Sequence, residues 1–542
     1  MNIKKINRTN NELTPLMKQY WEIKSKYLNF ILFFRLGDFY EMFANDAIIV
    51  APILNIVLTQ RCGIPMCGIP YLSINSYLKK IIETGLKVAI CDQKQTHRQL
   101  KKTVLVERAV TKIITPGMIL EDILLDSKTN NYLMAILSDQ KSSEISCAIA
   151  DISTGIFLTY QTNVRFIKND IFKYNPKEIL VPECPDNNNV FEAINIKQNF
   201  LVSKIKKSFF DLDNSKKIIS ELFGLNSLKK FELNNNRIIC ICGALLLYIK
   251  EMQPKSVLIF SKIKYISNED FMYLDSNTIR NLEIVNSNLN VDKIDHSLLS
   301  ILDKTQTALG ARTLRQWILK PLLNISRIKK RQTIVYFFIQ NQILCDNIVK
   351  QLRKIYDVER IVARIISETV TPRDLTILKQ SLKAICEINE ILQSNPNKDF
   401  VLQTANLKEI ISKINLYIQD ENLKISFNDG TMIKSGIHDG LDKLKDNLEI
   451  TKSAILSLES KEQSHTGFKN HLKIRFTSIL GYFFEISKSK LNNNRLPKHY
   501  ILKQTTTNTE RYITLELKNL EEKILYTHDQ IVRLEHTLFH SL

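Results

Sequence analysis

Apolar positions recur along this chain at two different periods, and the period changes near its middle. Residues 1–118 read as mixed α/β. Apolar runs at 28–36 and 55–59 predict strands, the spacing through 73–84 predicts an amphipathic helix, and 87–92 predicts a further strand. Thr115-Pro116-Gly117 punctuates the end of this region. A second α/β unit follows, with strands expected at 132–137 and 145–151, a Ser153-Thr154-Gly155 turn, a strand at 156–160, and helices ending at 238–250.

From about Thr278 the spacing turns helical. Leu298, Leu302, Leu309, Leu314 and Ile318 predict one shared face, and further helices are expected over 326–353, 356–369 and 372–394. Two later stripes match each other: Leu441, Leu444, Leu448, Ile455, Leu458, and then Leu517, Leu520, Ile524, Ile531, Leu534. Both keep the same succession of intervals, which predicts an antiparallel pair of long helices with coiled-coil seams. Between them Leu472, Ile474 and Phe476 alternate with Lys473, Arg475 and Thr477, as in strands. An arm of roughly 25 residues a side spans about 38 Å, so a small β-rich tip is expected at its end.

Charge sharpens this picture. The 542 residues carry a net charge of +19 and a mean hydropathy of −0.12, too long for a single core and globular in composition. Between Lys461 and Arg511 ten basic residues face three acidic ones, and the first 120 residues hold 17 basic against 8 acidic. Two separated basic regions predict a polyanion gripped in two places. Recurrent Asn triplets betray a compositional bias that raises Lys everywhere, but bias does not cluster charge. The longest apolar runs, 47–58 and 238–249, are too short to span a membrane. The start has no signal-peptide core, so a cytoplasmic location is expected. Nine cysteines lack metal-site spacing and are expected as reduced thiols. His536 and His540 lack the glutamate of a zinc helix and read as surface residues, so no metal site is expected.

The segment Phe33-Phe34-Arg35-Leu36-Gly37-Asp38-Phe39-Tyr40-Glu41-Met42-Phe43 is apolar yet carries charges and breaks at Gly37-Asp38. Asp38 and Glu41 have capping-box spacing, which predicts a helix starting at Asp38 with Phe39, Met42 and Phe43 in its first turns. The competing reading makes Phe39 an aromatic wedge and Glu41 its hydrogen-bonding neighbour, the pair needed to test base-pair stacking. Glu41 is assigned both roles, because capping leaves a carboxylate oxygen free.

Ordered motifs along the whole chain resemble the MutS family of bacterial DNA mismatch-recognition proteins. Thr14-Pro15-Leu16-Met17-Lys18-Gln19-Tyr20, Gly37-Asp38-Phe39-Tyr40-Glu41-Met42-Phe43, Ile64-Pro65-Met66-Cys67-Gly68-Ile69-Pro70-Tyr71 and Ile114-Thr115-Pro116-Gly117 look like its mismatch-binding domain. Leu274-Asp275, Arg280-Asn281-Leu282-Glu283-Ile284, Val358-Glu359-Arg360, Ala363-Arg364 and Pro372-Arg373-Asp374-Leu375 look like its helical core. Tyr482-Phe483-Phe484-Glu485-Ile486-Ser487 and Asn508-Thr509-Glu510-Arg511-Tyr512-Ile513 look like its clamp. The resemblance implies a multidomain α/β plus α fold: a mismatch-binding domain (1–118), a connector (126–258), a helical core with an outgoing lever (268–455), a β-rich clamp (456–510) and a returning lever helix (511–542).

It also implies roles. Phe39 would wedge into the minor groove and stack on the mispaired base, and Glu41 would hydrogen-bond that base. Lys469, Lys473, Arg475, Lys488, Lys490, Arg495, Lys498 and Lys503 are the clamp residues expected to contact DNA phosphates. The implied partners are duplex DNA with mismatches or small unpaired loops, a MutL-type matchmaker at the connector, and a second copy of the chain in a weakened homodimer. Two departures stand out: the loop between Arg61 and Ile64 is short for the family, and Thr507 stands where lysine is frequent. ATP and Mg²⁺ belong to the family's ATPase domain. None of the 14 glycines is followed by lysine, so no P-loop is present. The chain is therefore expected to bind DNA without being an ATPase itself, or to be a truncated or split product that is non-functional or acts only with a separate ATPase chain. A nonspecific DNA-bridging protein is the remaining alternative.

Overall fold

The computed structural model describes residues 14–93, 106–138, 143–183, 200–287, 296–393, 404–419, 430–468, 471–477, 480–491 and 496–542. Two compact units divide at Thr369–Val370.

The first unit begins with α1 (Pro15–Lys26), started by Thr14, whose hydroxyl accepts the Met17 N–H, with Pro15 at the first helical position. A six-stranded sheet follows, in the order β3-β4-β2-β1-β5-β6: β1 (Ile31–Leu36), β2 (Phe39–Phe43), β3 (Thr59–Arg61), β4 (Ile64–Pro70), β5 (Val88–Gln93) and β6 (Arg108–Ile114). Ile31 to Phe34 are all buried because both faces of the sheet are covered. On one face α1 lays Met17 and Tyr20 over Leu32, Phe34 and Phe43. On the other, α2 (Ala44–Leu54) and α3 (Ile74–Glu83) pack against Phe33, Tyr40, Met42 and Ile69. Asp46 fixes the first turn of α2 to this sheet, accepting the Leu32 N–H at 2.9 Å and the Lys24 ammonium at 2.8 Å.

Two expectations fail here. The strand expected at 55–59 is displaced: α2 runs through Pro52 to a left-handed Asn55 (φ 55°), and the strand starts at Thr59. Helical packing of Ala47, Val50 and Leu54 overrides the local β-branched run. The capping-box helix at Asp38 is a strand instead, so Glu41 caps nothing.

The connector holds a second six-stranded sheet, ordered β11-β10-β7-β8-β9-β12. Its central strands β7 (Leu133–Ser138), β8 (Glu144–Asp151) and β9 (Ile156–Asn163) form an antiparallel meander. The flanking strands β10 (Glu178–Pro182), β11 (Leu201–Ile205) and β12 (Lys264–Tyr265) add in parallel, with β11 and β12 at the edges. Between β9 and β10 lies α4 (Ile167–Tyr174), and α5 (Leu212–Phe223) and α6 (Asn236–Met252) pack on the sheet; α6 is buried along most of its length.

The helical part of this unit includes α7 (Ala308–Leu319), α8 (Ile325–Gln340), α9 (Gln342–Leu352) and α10 (Val358–Ile366). The face predicted through Leu298 to Ile318 is split, because a loop at 303–307 separates a short helix (Leu298–Leu302) from α7. The helix expected over 326–353 likewise breaks, at Asn341. Arg312 pairs with Asp357 (2.6 and 2.8 Å) and Glu359 (2.6 Å), and Arg360 donates to the Asp126 and Thr129 carbonyls. The arginines of the 358–364 motif are thus structural, holding the helices to the connector's entry.

In the second unit α11 (Pro372–Gln393) packs on α12 (Ala405–Tyr417), and α13 (Asp439–Thr466) pairs with α14 (Leu515–Ser541). The matched stripes meet as expected, with Leu441, Ile455, Leu458, Leu517, Ile524 and Ile531 buried. The four-stranded sheet is ordered β13-β14-β16-β15: β13 (Leu472–Thr477), β14 (Gly481–Ser487), β15 (Ile501–Thr505) and β16 (Thr509–Ile513). Helix carboxylates hold it: Glu459 accepts the Ile474 N–H at 2.7 Å, and Glu462 accepts the Tyr500 hydroxyl at 2.7 Å. Among the described residues no helix is long and apolar enough to cross a membrane, and no group of His, Cys, Asp and Glu could hold a metal.

Glu535 is fully buried on α14, accepting the Met432 and Ile433 N–H groups (3.1 and 3.2 Å) and pairing with Lys445 at 2.9 Å. Glu535→Ala would leave a lysine and two amides unpaired. A loss of about 3 kcal/mol in urea-induced unfolding is expected, with a smaller loss for Glu535→Gln.

Candidate nucleic-acid interface

Gly37 and Asp38 form the two-residue turn of the β1–β2 hairpin, with Leu36 paired to Phe39. Gly37 takes φ +59°, as a tight hairpin demands at its first central position. The turn is anchored from beneath. The Arg35 guanidinium lies 3.4 Å over the Tyr71 ring and its Nε donates to the Gly37 carbonyl at 3.2 Å, while the Asp38 carbonyl accepts the Tyr71 N–H at 2.8 Å. The Tyr40 hydroxyl donates to Asp92 at 2.7 Å, and Arg108 Nε donates to the Arg35 carbonyl at 2.8 Å. Burial, and then the bond to Asp92, hold the Tyr40 hydroxyl well above the usual phenol range.

Alternation along β2 puts Phe39 and Glu41 on the face that α1 covers, together with Phe43. The α1 cluster ends at Phe43, Phe34 and Leu36, so Phe39 at the far end of the strand stays 48% exposed. Glu41 lies one step inward and is half-buried. Its cross-strand neighbour on β4 is Gly68, which places no side chain beside it. Partial burial raises the Glu41 carboxyl above its ordinary range, and Arg61, 3.1 Å away, pulls in the opposite direction.

Arg61 was not singled out in the sequence. It is placed by a second two-residue turn, Cys62-Gly63, in which both residues have positive φ (52° and 74°) and Arg61 pairs with Ile64. The shortness of that loop was legible; that it would aim a cation at Glu41 across β4 was not.

The clamp residues are less uniform. Lys473, Lys498 and Lys503 are exposed, and Lys488 is partly buried. Arg475 is exposed but tied to Glu485 at 2.8 Å, which also draws Arg511 to 3.5 Å. Lys473, Glu485, Arg511 and Gln504 follow one another across a single rung of the sheet. That face is therefore partly neutralised, a pairing that the count of ten basic against three acidic residues did not reveal. Phe476, expected inward, is 56% exposed and leans on Tyr482. Lys469 and Arg495 lie outside the described residues, as does the Lys490 side chain. His536 and His540 are exposed with ring nitrogens 3.3 Å apart.

Three family models match consecutive stretches: MutS domain I over residues 14–123, MutS domain II over 131–261 and MutS domain III over 277–542. The DNA mismatch repair protein MutS of Clostridium kluyveri is 38% identical over 97% of this chain and 60% of its own length. Those of Flavobacterium psychrophilum (36%, 98% of this chain, 60% of its own length) and Caldanaerobacter subterraneus (37%, 98%, 61%) are similar to the same extent. The chain thus spans about three-fifths of the curated relatives it matches.

Arg61→Ala should cost less than about 1 kcal/mol, since the pair is partly solvated, and should move the Glu41 carboxyl further up. The Glu41 titration followed by NMR checks this; an unmoved midpoint would show that the pair does not form in solution. Gly37→Ala forces a Cβ into a left-handed position and should cost about 1 kcal/mol by thermal melting.

Proposed function

The chain belongs to the MutS family of DNA mismatch repair proteins, and from that premise we propose that it binds mismatched duplex DNA through Phe39 and Glu41. The observation that carries this reading is an exposed aromatic ring and a half-buried carboxyl on one face of a strand, beside a hairpin turn anchored by Arg35, Tyr71 and Asp92. A wedge must enter a base step without folding back, and a ring on a paired strand has little freedom to lose on binding. Inserting it costs a few kcal/mol of unstacking, least where pairing is already poor. That difference is the recognition signal.

Glu41 supplies the polar half. Minor-groove base edges present mainly acceptors, and only a protonated carboxyl can donate to them. A carboxyl already raised by burial is displaced toward that form, and contact with an acceptor would raise it further. The lysines of the clamp, Lys473, Lys498 and Lys503 among them, would add phosphate contacts that fix position without reading sequence. ATP hydrolysis is not assigned to these residues. A MutL-type partner at the connector and a homodimer remain part of the proposal for the longer protein.

Wild-type chain should bind a G·T or unpaired-base duplex more tightly than a matched one, and Phe39→Ala should erase the difference. Equal affinity of the wild type for both duplexes would overturn the reading. Mismatch affinity should weaken as pH rises through the bound-state Glu41 midpoint, and Glu41→Gln, which keeps a donor, should flatten that dependence. Lys503→Ala should reduce the slope of log affinity against log salt by about 1 without altering mismatch preference.

A further inference from the structure

A cavity of about 310 Å³ lies where α4 and β12 of the connector meet α7 and α8. Eight basic side chains line it against one carboxylate, Asp270. Arg312 is held by Asp357 and Glu359, and Arg327 lies 3.9 Å from Asp270. The deeper lysines are not balanced in this way. Lys320 Nζ donates to the Tyr174 hydroxyl at 2.6 Å, a neutral partner, and lies 4.3 Å over the Tyr174 ring. The buried carboxylate acting on it is Asp170, which also serves Lys173, while Lys173 and Lys264 repel it. Burial, then those two lysines, push Lys320 down to about 7, and burial lowers Lys173 as well. A fold that only needed to fill this space would hold neutral side chains here, because uncompensated charge taken from water is costly. The walls also offer flat surfaces: Tyr265, Phe271 and Trp317, with Arg331 stacked 3.8 Å over the Trp317 ring.

We propose that this cavity binds a small phosphate-bearing ligand of mononucleotide size, its phosphate held by Lys173, Lys264 and Lys320 and its ring lying against Tyr265, Phe271 and Trp317. The volume is at the lower bound for small-molecule sites, about 300 Å³. Phosphate supplies the missing negative charge, and an ammonium meets it as a point charge. The proposal stands apart from the Phe39–Glu41 reading, since none of these residues belongs to that hairpin. The phosphate has two sources of the same chemistry, a free nucleotide or the end of a nucleic-acid strand.

The chain has two tryptophans, Trp21 and Trp317, so Trp21→Phe leaves Trp317 as the reporter in the full chain. Titration with ADP, pyrophosphate and a short oligothymidylate should give a saturable change in its emission below about 1 mM for at least one probe. Lys320→Gln should weaken it about tenfold or more. Binding should also weaken between pH 6 and 9, as Lys320 loses its proton. A response to ADP assigns the free nucleotide, and one confined to the oligonucleotide assigns a strand end; both support the site. Because Lys320→Gln removes repulsion, its melting temperature should equal or exceed the parent's, and Lys264→Gln at the rim serves as a second variant. No saturable response to any probe, or an unchanged titration in both folded variants, would overturn the proposal.

Discussion

Glu178, at the start of a central connector strand and fully buried, is the contact on which the arrangement of the first unit depends. Its carboxylate accepts the Ser203 hydroxyl at 2.6 Å, the Tyr248 hydroxyl at 2.8 Å and the Thr115 hydroxyl, and pairs with Lys87 at 3.1 Å. Ser203 and Tyr248 belong to the connector; Lys87 immediately precedes β5 and Thr115 immediately follows β6 of the sheet that carries Phe39. One charge therefore joins two domains that otherwise have separate cores. A buried carboxylate tolerates little displacement, since every lost partner leaves it desolvated and unpaired. The hairpin is in this way referenced to the connector through Lys87, whose neighbour Val88 begins the strand paired to β1.

The same economy recurs. Asp46 joins α1 to β1, Arg312 and Arg360 join the helices to the connector's entry, and Glu535 closes the base of the paired helices. Each uses a charge satisfied by backbone groups or by an opposite charge, so each adds definition of position more than net stability. The basic cavity beneath Lys320 departs from this pattern, which is why it reads as a site and not as scaffolding.

Much was legible in the sequence, though unevenly. The long helices were plain, because their leucine stripes persist over many turns and burial follows the stripe. The connector strands were plain because both faces are buried and β-branched residues run together. The Asp38–Glu41 segment misled: the spacing of a capping box is also the spacing from the last residue of a hairpin turn to the third residue of the strand that follows it. Strand pairing to β1 and β4 decided between them. The split of Leu298 from Leu309 was hidden because a five-residue loop preserves apolar spacing while breaking the helix.

The sequence by itself determined the family, the fold class, the seam of the paired helices and the candidate pair Phe39 and Glu41, because these rest on local order and short-range periodicity. Tertiary structure alone decided that Phe39 is uncovered, that Arg61 reaches Glu41 over Gly68, that Glu485 neutralises part of the clamp face, and that lysines from α4, from β12 and from the C-terminal end of α7 converge on one cavity. Those outcomes depend on residues far apart in the chain being brought within a few ångströms, where burial and charge act together. No local pattern encodes that distance.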